Sequence, residues 1–244
     1  MSSFRKKYLS VENEIAVHPE QPHERPAAEP GPKPAADKAD YYHSAAFEPG
    51  SPAARQKYGE LMEAENARYS SASALAITIA GGILGGIFAV PAIFLHGSAS
   101  WIQIFMLVVF GPFAEETLKQ SGMIFQLEKL PGSVRNEWQF FLSGALGGLV
   151  FGILENLLYQ YVYLAKLPPD KLAGVMSFRW VVCTLLHLFY TQISALGLRR
   201  VWRESRLEGM PVRISQAFPW FITAMGVHGC YNLAALLWFE RFLT

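Results

Sequence analysis

The chain has 244 residues, of which 51% are hydrophobic, and its 21 basic and 20 acidic side chains nearly cancel to a net charge of +1. These averages hide a polar N-terminal part and a very hydrophobic remainder, so the chain as a whole is not typical of an ordinary soluble protein.

Residues 1–70 are dominated by Pro, Ala, Glu and Lys, which leaves little apolar area to offset the entropy lost on ordering. We predict a disordered tail over this range. Its last part, about 54–69, has apolar residues spaced to form one face of an amphipathic surface helix: Tyr58, Leu61, Met62 and Tyr69. The first residues are basic and then polar, which is not typical of a secretory signal.

Five apolar stretches follow, each long enough for the roughly 20-residue helix that crosses a bilayer. They are 73–97, 100–126, 138–164, 174–198 and 214–240. Apolar runs of this length are too long for barrel strands, which cross with about 9 to 11 alternating residues. Helices also satisfy their own backbone groups in lipid. We therefore predict an all-α, polytopic membrane helix bundle over 71–244, in which glycines of the first and third stretches allow close helix packing.

The loop after the fourth stretch is the most basic part of the chain. Its arginines are Arg199, Arg200, Arg203, Arg206 and Arg213. Because basic loops stay in the cytoplasm, we expect this loop there, together with the 127–137 loop and the N-terminal tail. The 165–173 loop also carries two lysines but lies on the opposite side. The predicted location is the inner membrane, with a cytoplasmic N-terminus.

Four of the stretches contain ionisable or amide side chains where a membrane span normally has none. These residues are Glu115, Glu116, Lys119, Glu155, Asn156, Arg179, His187, His228 and Asn232. An ionisable side chain at the bilayer centre costs roughly 2.5 to 3.5 kcal/mol even on mild insertion scales. We therefore expect these groups to face one another and to form a shared site for chemistry or transport.

The first group combines two adjacent carboxylates with a lysine one helical turn later. Lys119 lies four residues after Glu115 and three after Glu116, so its ammonium can reach both. A carboxylate in such a setting can act as the general base that takes a proton from water. The alternative is a solvated Glu/Lys cluster at a helix end near the membrane interface.

The other groups leave more than one interpretation open. Glu155 is expected to pair with Arg179, which would make it structural, or to act chemically. A lone buried histidine is usually a satisfied core residue, but His187 and His228 opposite a carboxylate pair point to catalysis. Asn232, one turn after His228, could stabilise a developing oxyanion. Together these groups suggest hydrolysis.

The order EExxK, FxxxEN, a mid-helix His and HxxxN resembles the PrsW family of intramembrane proteases, within the wider CPBP group that includes the type II CAAX prenyl endopeptidases. The resemblance covers about Ser73 to the C-terminus. It implies that Glu115 activates the attacking water, that Glu116 held by Lys119 supports it, and that His228 and Asn232 stabilise the oxyanion. The implied substrates are membrane-anchored regulatory proteins such as anti-sigma factors.

One position departs from the CAAX endopeptidases, which have a histidine where this chain has Glu155. The departure makes CAAX prenyl processing a less expected activity and leaves the direct role of Glu155 open. His187 would then supply the imidazole from another helix.

The resemblance also raises the question of a metal ion, since two glutamates and two histidines could hold zinc. No HExxH or comparable ligand spacing is present, so we favour a glutamic mechanism without a cofactor. Other function classes stay open: a proton- or ion-coupled carrier, or a non-catalytic scaffold or immunity protein of the same fold. The lipid bilayer and a membrane-anchored substrate are the expected partners, and no nucleic acid is expected.

Overall fold

The computed structural model of the chain describes residues 48–95 and 101–243, and within these ranges it contains helices and no strand. The predicted all-α class is confirmed. Residues 1–47, most of the predicted tail, lie outside the described residues, so their disorder stays a prediction. The α-helices are α1 Pro52–Ala67, α2 Ser71–Ala89, α3 Trp101–Phe105, α4 Gly111–Lys119, α5 Ser121–Lys129, α6 Trp138–Leu158, α7 Pro169–Phe178, α8 Thr184–Glu208 and α9 Phe218–Leu243.

In the described part of the chain, three five-residue segments are wound as π-helix rather than α-helix: Met106–Phe110, Tyr159–Tyr163 and Arg179–Cys183. The first joins α3 to α4, the second extends α6, and the third joins α7 to α8. In a π-helix each main-chain bond spans one residue more than in an α-helix, so the turn is wider and side chains beyond it are rotated. All three segments lie next to residues of the predicted site.

Four helical stretches of the described chain are long and apolar enough to cross a membrane. They are Ser71–Phe94, Trp138–Tyr163, Pro169–Glu208 and Ile214–Trp238. The remaining predicted stretch, 100–126, is described from Trp101 onward and is helical but divided: a π-segment separates α3 from α4, and α4 ends at a turn at Gln120. This stretch, which contains two carboxylates and a lysine, is not among the four. The prediction of a multi-pass membrane bundle is confirmed.

Glycines bring the backbones of α2, α4 and α6 into direct contact, as predicted. A Cβ atom on Gly85 of α2 would overlap the carbonyl oxygen of Lys119, and one on Gly86 would lie 2.7 Å from the carbonyl oxygen of Gly147 in α6. Larger side chains would force these helices apart. The carbonyl of Lys119 lies between α2 and α6, since a Cβ on Gly147 would also lie 2.7 Å from it.

Helix α1 starts at Pro52 behind an N-cap, because the Ser51 hydroxyl accepts a hydrogen bond from the Ala54 amide at 3.2 Å. Its Tyr58 and Met62, both assigned above to an apolar face, are buried. That face packs on the protein itself, near the C-terminal end of α8. The Gly50 amide donates to the Glu208 carbonyl at 2.7 Å, which ties the start of α1 to the arginine-rich end of α8.

The main apolar core lies at this same end of the bundle and is built from α5, α6, α8, α9 and the segments between them. Its buried members are Met123, Leu127, Val134, Phe140, Leu198, Val201, Trp202, Ala217 and Phe221. A smaller cluster contains Ala89, Ile93 and Phe151. Phe151 also contacts the polar site, so this small cluster forms its apolar border.

Candidate active site

The two carboxylates and the lysine of α4 form a buried ionic cluster. Lys119 Nζ lies 2.8 Å from Glu116 Oε1 and 3.5 Å from Glu115 Oε2, as the spacing of three and four residues predicts. Relative exposures are 2% for Glu115 and 0% for Glu116 and Lys119. The alternative of a solvated cluster at a helix end is therefore wrong.

His228, on α9, faces both carboxylates. Its Nδ1 atom lies 3.0 Å from Glu116 Oε1, and its Nε2 atom lies 3.8 Å from Glu115 Oε2. The ring of Tyr190, from α8, stacks on the imidazole with the ring centroids 4.7 Å apart and the planes inclined by 19°. The stacking and the Glu116 contact together fix the plane in which the imidazole lies.

His187, on α8, approaches the cluster from the other side. Its Nδ1 atom is 3.2 Å from Lys119 Nζ, and its Nε2 atom is 2.9 Å from Glu155 Oε2. An ionised carboxylate only accepts hydrogen bonds and an ammonium only donates them. These two neighbours therefore place the ring hydrogen on Nε2 and leave the Nδ1 lone pair facing the cluster.

Glu155 is shared between His187 and an arginine. Arg179 Nη2 lies 2.8 Å from the same Oε2 atom that contacts His187, which confirms the predicted pairing. The guanidinium also lies over the Tyr159 ring, with its central carbon 3.4 Å from the ring centroid. The arginine therefore orients Glu155 while the carboxylate orients His187.

The two asparagines of the predicted motifs bind main-chain or hydroxyl oxygens rather than other site side chains. Asn156 Nδ2 donates to Thr184 Oγ1 at 3.0 Å and to the Arg179 carbonyl at 3.2 Å. Asn232 Nδ2 donates to the Leu107 carbonyl at 3.0 Å. Both carbonyls belong to π-helical segments.

Sequence reasoning missed two residues that contact the site. Thr191 Oγ1 lies 3.2 Å from Glu116 Oε2, and Tyr190 stacks on His228. Thr191 follows His187 by one turn, so its place on the same face is readable from the sequence. Tyr190 lies in a run of apolar and aromatic residues, and nothing in that pattern distinguishes it from a lipid-facing aromatic.

The two adjacent glutamates differ in how far their oxygens are engaged. Glu116 is contacted by Lys119, His228 and Thr191. Glu115 Oε2 is within ion-pair distance of Lys119 but has no hydrogen-bond partner among the described residues. Since buried carboxylate oxygens are normally hydrogen-bonded, this atom is the one placed to accept a bond from a water molecule.

A metal ion is a second possible occupant of the same place. One donor atom from each of Glu115, Glu116, His187 and His228 lies within 4.8 Å of the others. Oxygen and imidazole ligands suit zinc, and Glu155 behind His187 is the kind of outer carboxylate that orients a ligating histidine. The donor set therefore fits a divalent metal ion. Lys119 Nζ contacts three of the four residues, so a metal ion would have to share them with the ammonium.

The fold and this site define a class of protein: a multi-pass helical membrane protein with a buried centre of carboxylates and imidazoles between its spans. The comparison with protein families identifies one family. Residues 72–243 match the model of the PrsW family intramembrane metalloproteases, and the chain belongs to that family of intramembrane proteases. The predicted resemblance is confirmed, while membership of the wider CPBP group stays a prediction. No curated protein and no solved structure matches the chain.

Proposed function

We propose that the protein hydrolyses peptide bonds of membrane-anchored proteins with a water molecule that Glu115 activates. The observation that carries this proposal is the buried Oε2 atom of Glu115, which lacks a hydrogen-bond partner in the described part of the chain. It lies beside an ammonium, at 3.5 Å from Lys119, and an imidazole, at 3.8 Å from His228.

In the proposed reaction, Glu115 takes a proton from the water while the water oxygen bonds to the carbonyl carbon of the substrate. The carbonyl oxygen becomes negative, and His228 stabilises that charge through a ring N–H. Glu115 then gives the proton to the amide nitrogen as the carbon–nitrogen bond breaks. The products are a carboxylic acid and an amine, so atoms and charges balance.

Glu116 supports this reaction without being the base. Its two oxygens already face Lys119, His228 and Thr191, which leaves little capacity to bind water. Its contact with His228 Nδ1 stabilises an imidazolium, as a carboxylate behind a catalytic histidine does in other hydrolases. The division of work between adjacent glutamates therefore follows from their different partners.

His187, Glu155 and Arg179 form a second, supporting layer. Glu155 fixes the tautomer of His187, and the His187 lone pair accepts from Lys119. This contact aims the ammonium at the two carboxylates, which are then both close to one positive charge. In this proposal Glu155 acts through His187 and Lys119 and does not touch the substrate.

A metal-dependent form of the enzyme is the second candidate, favoured by the convergence of four donors. Glu115, Glu116, His187 and His228 would hold the ion, which when bound would polarise the water and the substrate carbonyl. The position of Lys119 supports the metal-free form, since its ammonium already supplies a positive charge beside both carboxylates. We keep the metal-free mechanism as the proposal.

We also propose that the arginine-rich end of α8 and the N-terminus face the cytoplasm, and that the substrates resemble anti-sigma factors. The contact of Gly50 with Glu208 supports placing the start of α1 on the same side as the arginines. The excess of arginine there supports the cytoplasmic side.

The test of proteolysis compares N-termini of membrane proteins, by mass spectrometry, in cells with the wild-type chain, Glu115→Ala, or the control Glu128→Ala at equal expression. Glu128 is an exposed carboxylate of α5. We expect new N-termini in the wild type and the control. Their rate of formation should fall about 10²- to 10⁴-fold in Glu115→Ala, as is usual for loss of an acid–base group.

The alternatives predict other results. Unchanged cleavage by Glu115→Ala would refute the role of Glu115. Identical profiles in all three strains and in cells without the chain would favour the carrier or the scaffold.

The metal question needs purified protein. If the mechanism is metal-free, elemental mass spectrometry of the purified protein should find less than one bound divalent ion per chain. The protein should also keep its activity after treatment with a chelator. A stoichiometric ion that disappears in His187→Ala and His228→Ala, with activity restored by zinc, would establish the metal-dependent form.

A further inference from the structure

We propose that Asn232 is a positioning residue: it holds α9 against the π-helical segment Met106–Phe110 and thereby sets the distance between His228 and the glutamate pair. The resemblance implied instead that this amide stabilises the oxyanion. The inference refines the proposed function and rests on it for its activity measurement.

The π-helical segment leads directly into the helix that carries the glutamates. The Gly111 amide donates to the Met106 carbonyl, five residues earlier, and α4 begins at Gly111. Any movement of this segment therefore moves Glu115 and Glu116, which lie in the following turns. Wide turns of this kind recur at functional sites, where they re-aim neighbouring side chains.

Helix α9 touches this segment at main-chain level. A Cβ on Gly229 would overlap the carbonyl oxygen of Val108, so no larger side chain fits without separating the two elements. Three residues later, Asn232 Nδ2 donates to the carbonyl of Leu107 at 3.0 Å. Two consecutive carbonyls of the segment are thus contacted by one face of α9.

His228 lies on the same helix, one turn before Asn232 and on the face that Asn232 shares. His228 Nδ1 lies 3.0 Å from Glu116 Oε1, on the helix that follows the segment. The contacts of Gly229 and Asn232 therefore determine how close the imidazole comes to the carboxylates. A shift of about 1 Å at a reacting centre can cost roughly 10²-fold in rate.

Asn156 is in the same relation to another π-helical segment, which supports a positioning role for both amides. Its Nδ2 atom donates to the carbonyl of Arg179, whose side chain orients Glu155. Asn156 thus binds a carbonyl of the π-helical segment that leads into α8, as Asn232 binds a carbonyl of the segment that leads into α4.

The experiment uses four variants of the full chain in lipid nanodiscs. Asn232→Ala removes the amide, and Gly229→Ala forces α9 away from Val108 while leaving the amide intact. The double variant combines the two changes. Gly226→Ala is the matched control on the same helix, because apart from the neighbouring backbone of α9 itself no atom lies within 4 Å of the position its Cβ would occupy.

Three properties are measured: the melting temperature without substrate, kcat and KM well below that temperature, and the nitrogen chemical shifts of the His228 ring in ¹⁵N-histidine-labelled protein. We expect Asn232→Ala and Gly229→Ala each to lower the melting temperature, to lower kcat about 10²-fold with little change in KM, and to move the His228 signal. The losses in the double variant should not multiply, because both changes break one contact. Gly226→Ala should keep the wild-type kcat and His228 signal, and its melting temperature should equal or slightly exceed that of the wild type, because alanine is the better helix former.

Two other outcomes would overturn the inference. If Asn232 serves only the oxyanion, Asn232→Ala loses kcat without a change in melting temperature or in the His228 signal. If the contact is merely structural, the melting temperature falls while kcat per folded molecule and the His228 signal stay unchanged. Should the wild-type protein cleave nothing, the proposed function fails, and the melting and His228 measurements still decide whether Asn232 positions His228.

Discussion

The buried site and the arginine-rich end of the bundle use the same kinds of residue with different consequences. In the site, Lys119 and Glu116 are both 0% exposed and 2.8 Å apart. At the other end, Arg203 and Glu137 form a pair at 3.3 Å with side chains 52% and 40% exposed. The comparison teaches that burial, and not the residue types, decides what a charge pair does in this protein.

The two kinds of ion pair differ in how much stability is lost when one partner is removed, because the charge that remains is solvated differently. At the exposed end, water and salt solvate the remaining charge, and such pairs contribute about 0–1 kcal/mol. In the site the remaining charge is buried away from bulk water, so removing one partner typically costs about 3–5 kcal/mol. The following three predictions test this contrast.

The largest effect is expected from Lys119→Met, which shortens the unbranched side chain by one atom and removes its charge. Lys119 Nζ contacts Glu115, Glu116 and His187, so its loss leaves two buried carboxylates without their shared cation. We expect a loss of stability of about 3–5 kcal/mol, seen as a much lower melting temperature of the purified protein, and loss of proteolysis.

Lys129→Met is the matched control, since this lysine is exposed on the neighbouring helix α5. It should melt within a few degrees of the wild type. A Lys119→Met protein that melts like the Lys129→Met protein would show that the ammonium is not what balances the carboxylates.

Parts of the site could be predicted from the sequence. Some depend only on the spacing of residues within one helix, and others on the small number of oppositely charged residues available to pair with a buried charge. Lys119 must reach Glu115 and Glu116 if the segment is helical, and Arg179 was an available partner for Glu155. The bundle itself follows from the apolar runs. These features need no knowledge of how the helices cross.

Other parts depend on the packing of distant segments and left no local pattern. The stacking of Tyr190 on His228 requires the orientation of α8 against α9. The contact of Asn232 with Leu107 requires a π-helical turn, and nothing in the apolar sequence of residues 106–110 predicts one. The docking of α1 also escaped prediction, because its apolar residues suit a membrane surface as well as a protein surface.

An intermediate loss of stability is expected where α1 packs on the rest of the protein. This prediction tests whether disturbing an uncharged contact costs less than breaking a buried ion pair and more than breaking an exposed one. A Cβ on Gly132 would overlap the main-chain carbonyl of Glu65 in α1. Gly132→Ala should therefore push α1 away and cost about 1–3 kcal/mol. Trypsin should then cut faster at Arg55 and Lys57 of α1 than it does in the wild type.

Gly59→Ala provides the control for this change. Apart from the neighbouring backbone of α1 itself, no atom lies within 4 Å of the position of its Cβ, and Gly59 is in the interior of α1. It should stabilise the helix by about 0.5–1 kcal/mol and slow the cleavage, because alanine is the better helix former. Faster cleavage in both variants would mean that α1 is not held by the Gly132 contact.

The smallest effect is expected from Glu137→Gln at the exposed end. Glu137 pairs with Arg199 and Arg203, so one substitution removes two ion pairs. The arginines remain partly exposed and are solvated when the carboxylate is lost, so we expect a change of less than about 1 kcal/mol in stability, measured by thermal melting. The difference from the wild type should shrink further at high salt, which screens exposed charges. A loss as large as that of Lys119→Met, and independent of salt, would mean that Glu137 is a structural anchor. The number of partners of each charged group, and not its burial, would then determine how much stability is lost when the group is removed.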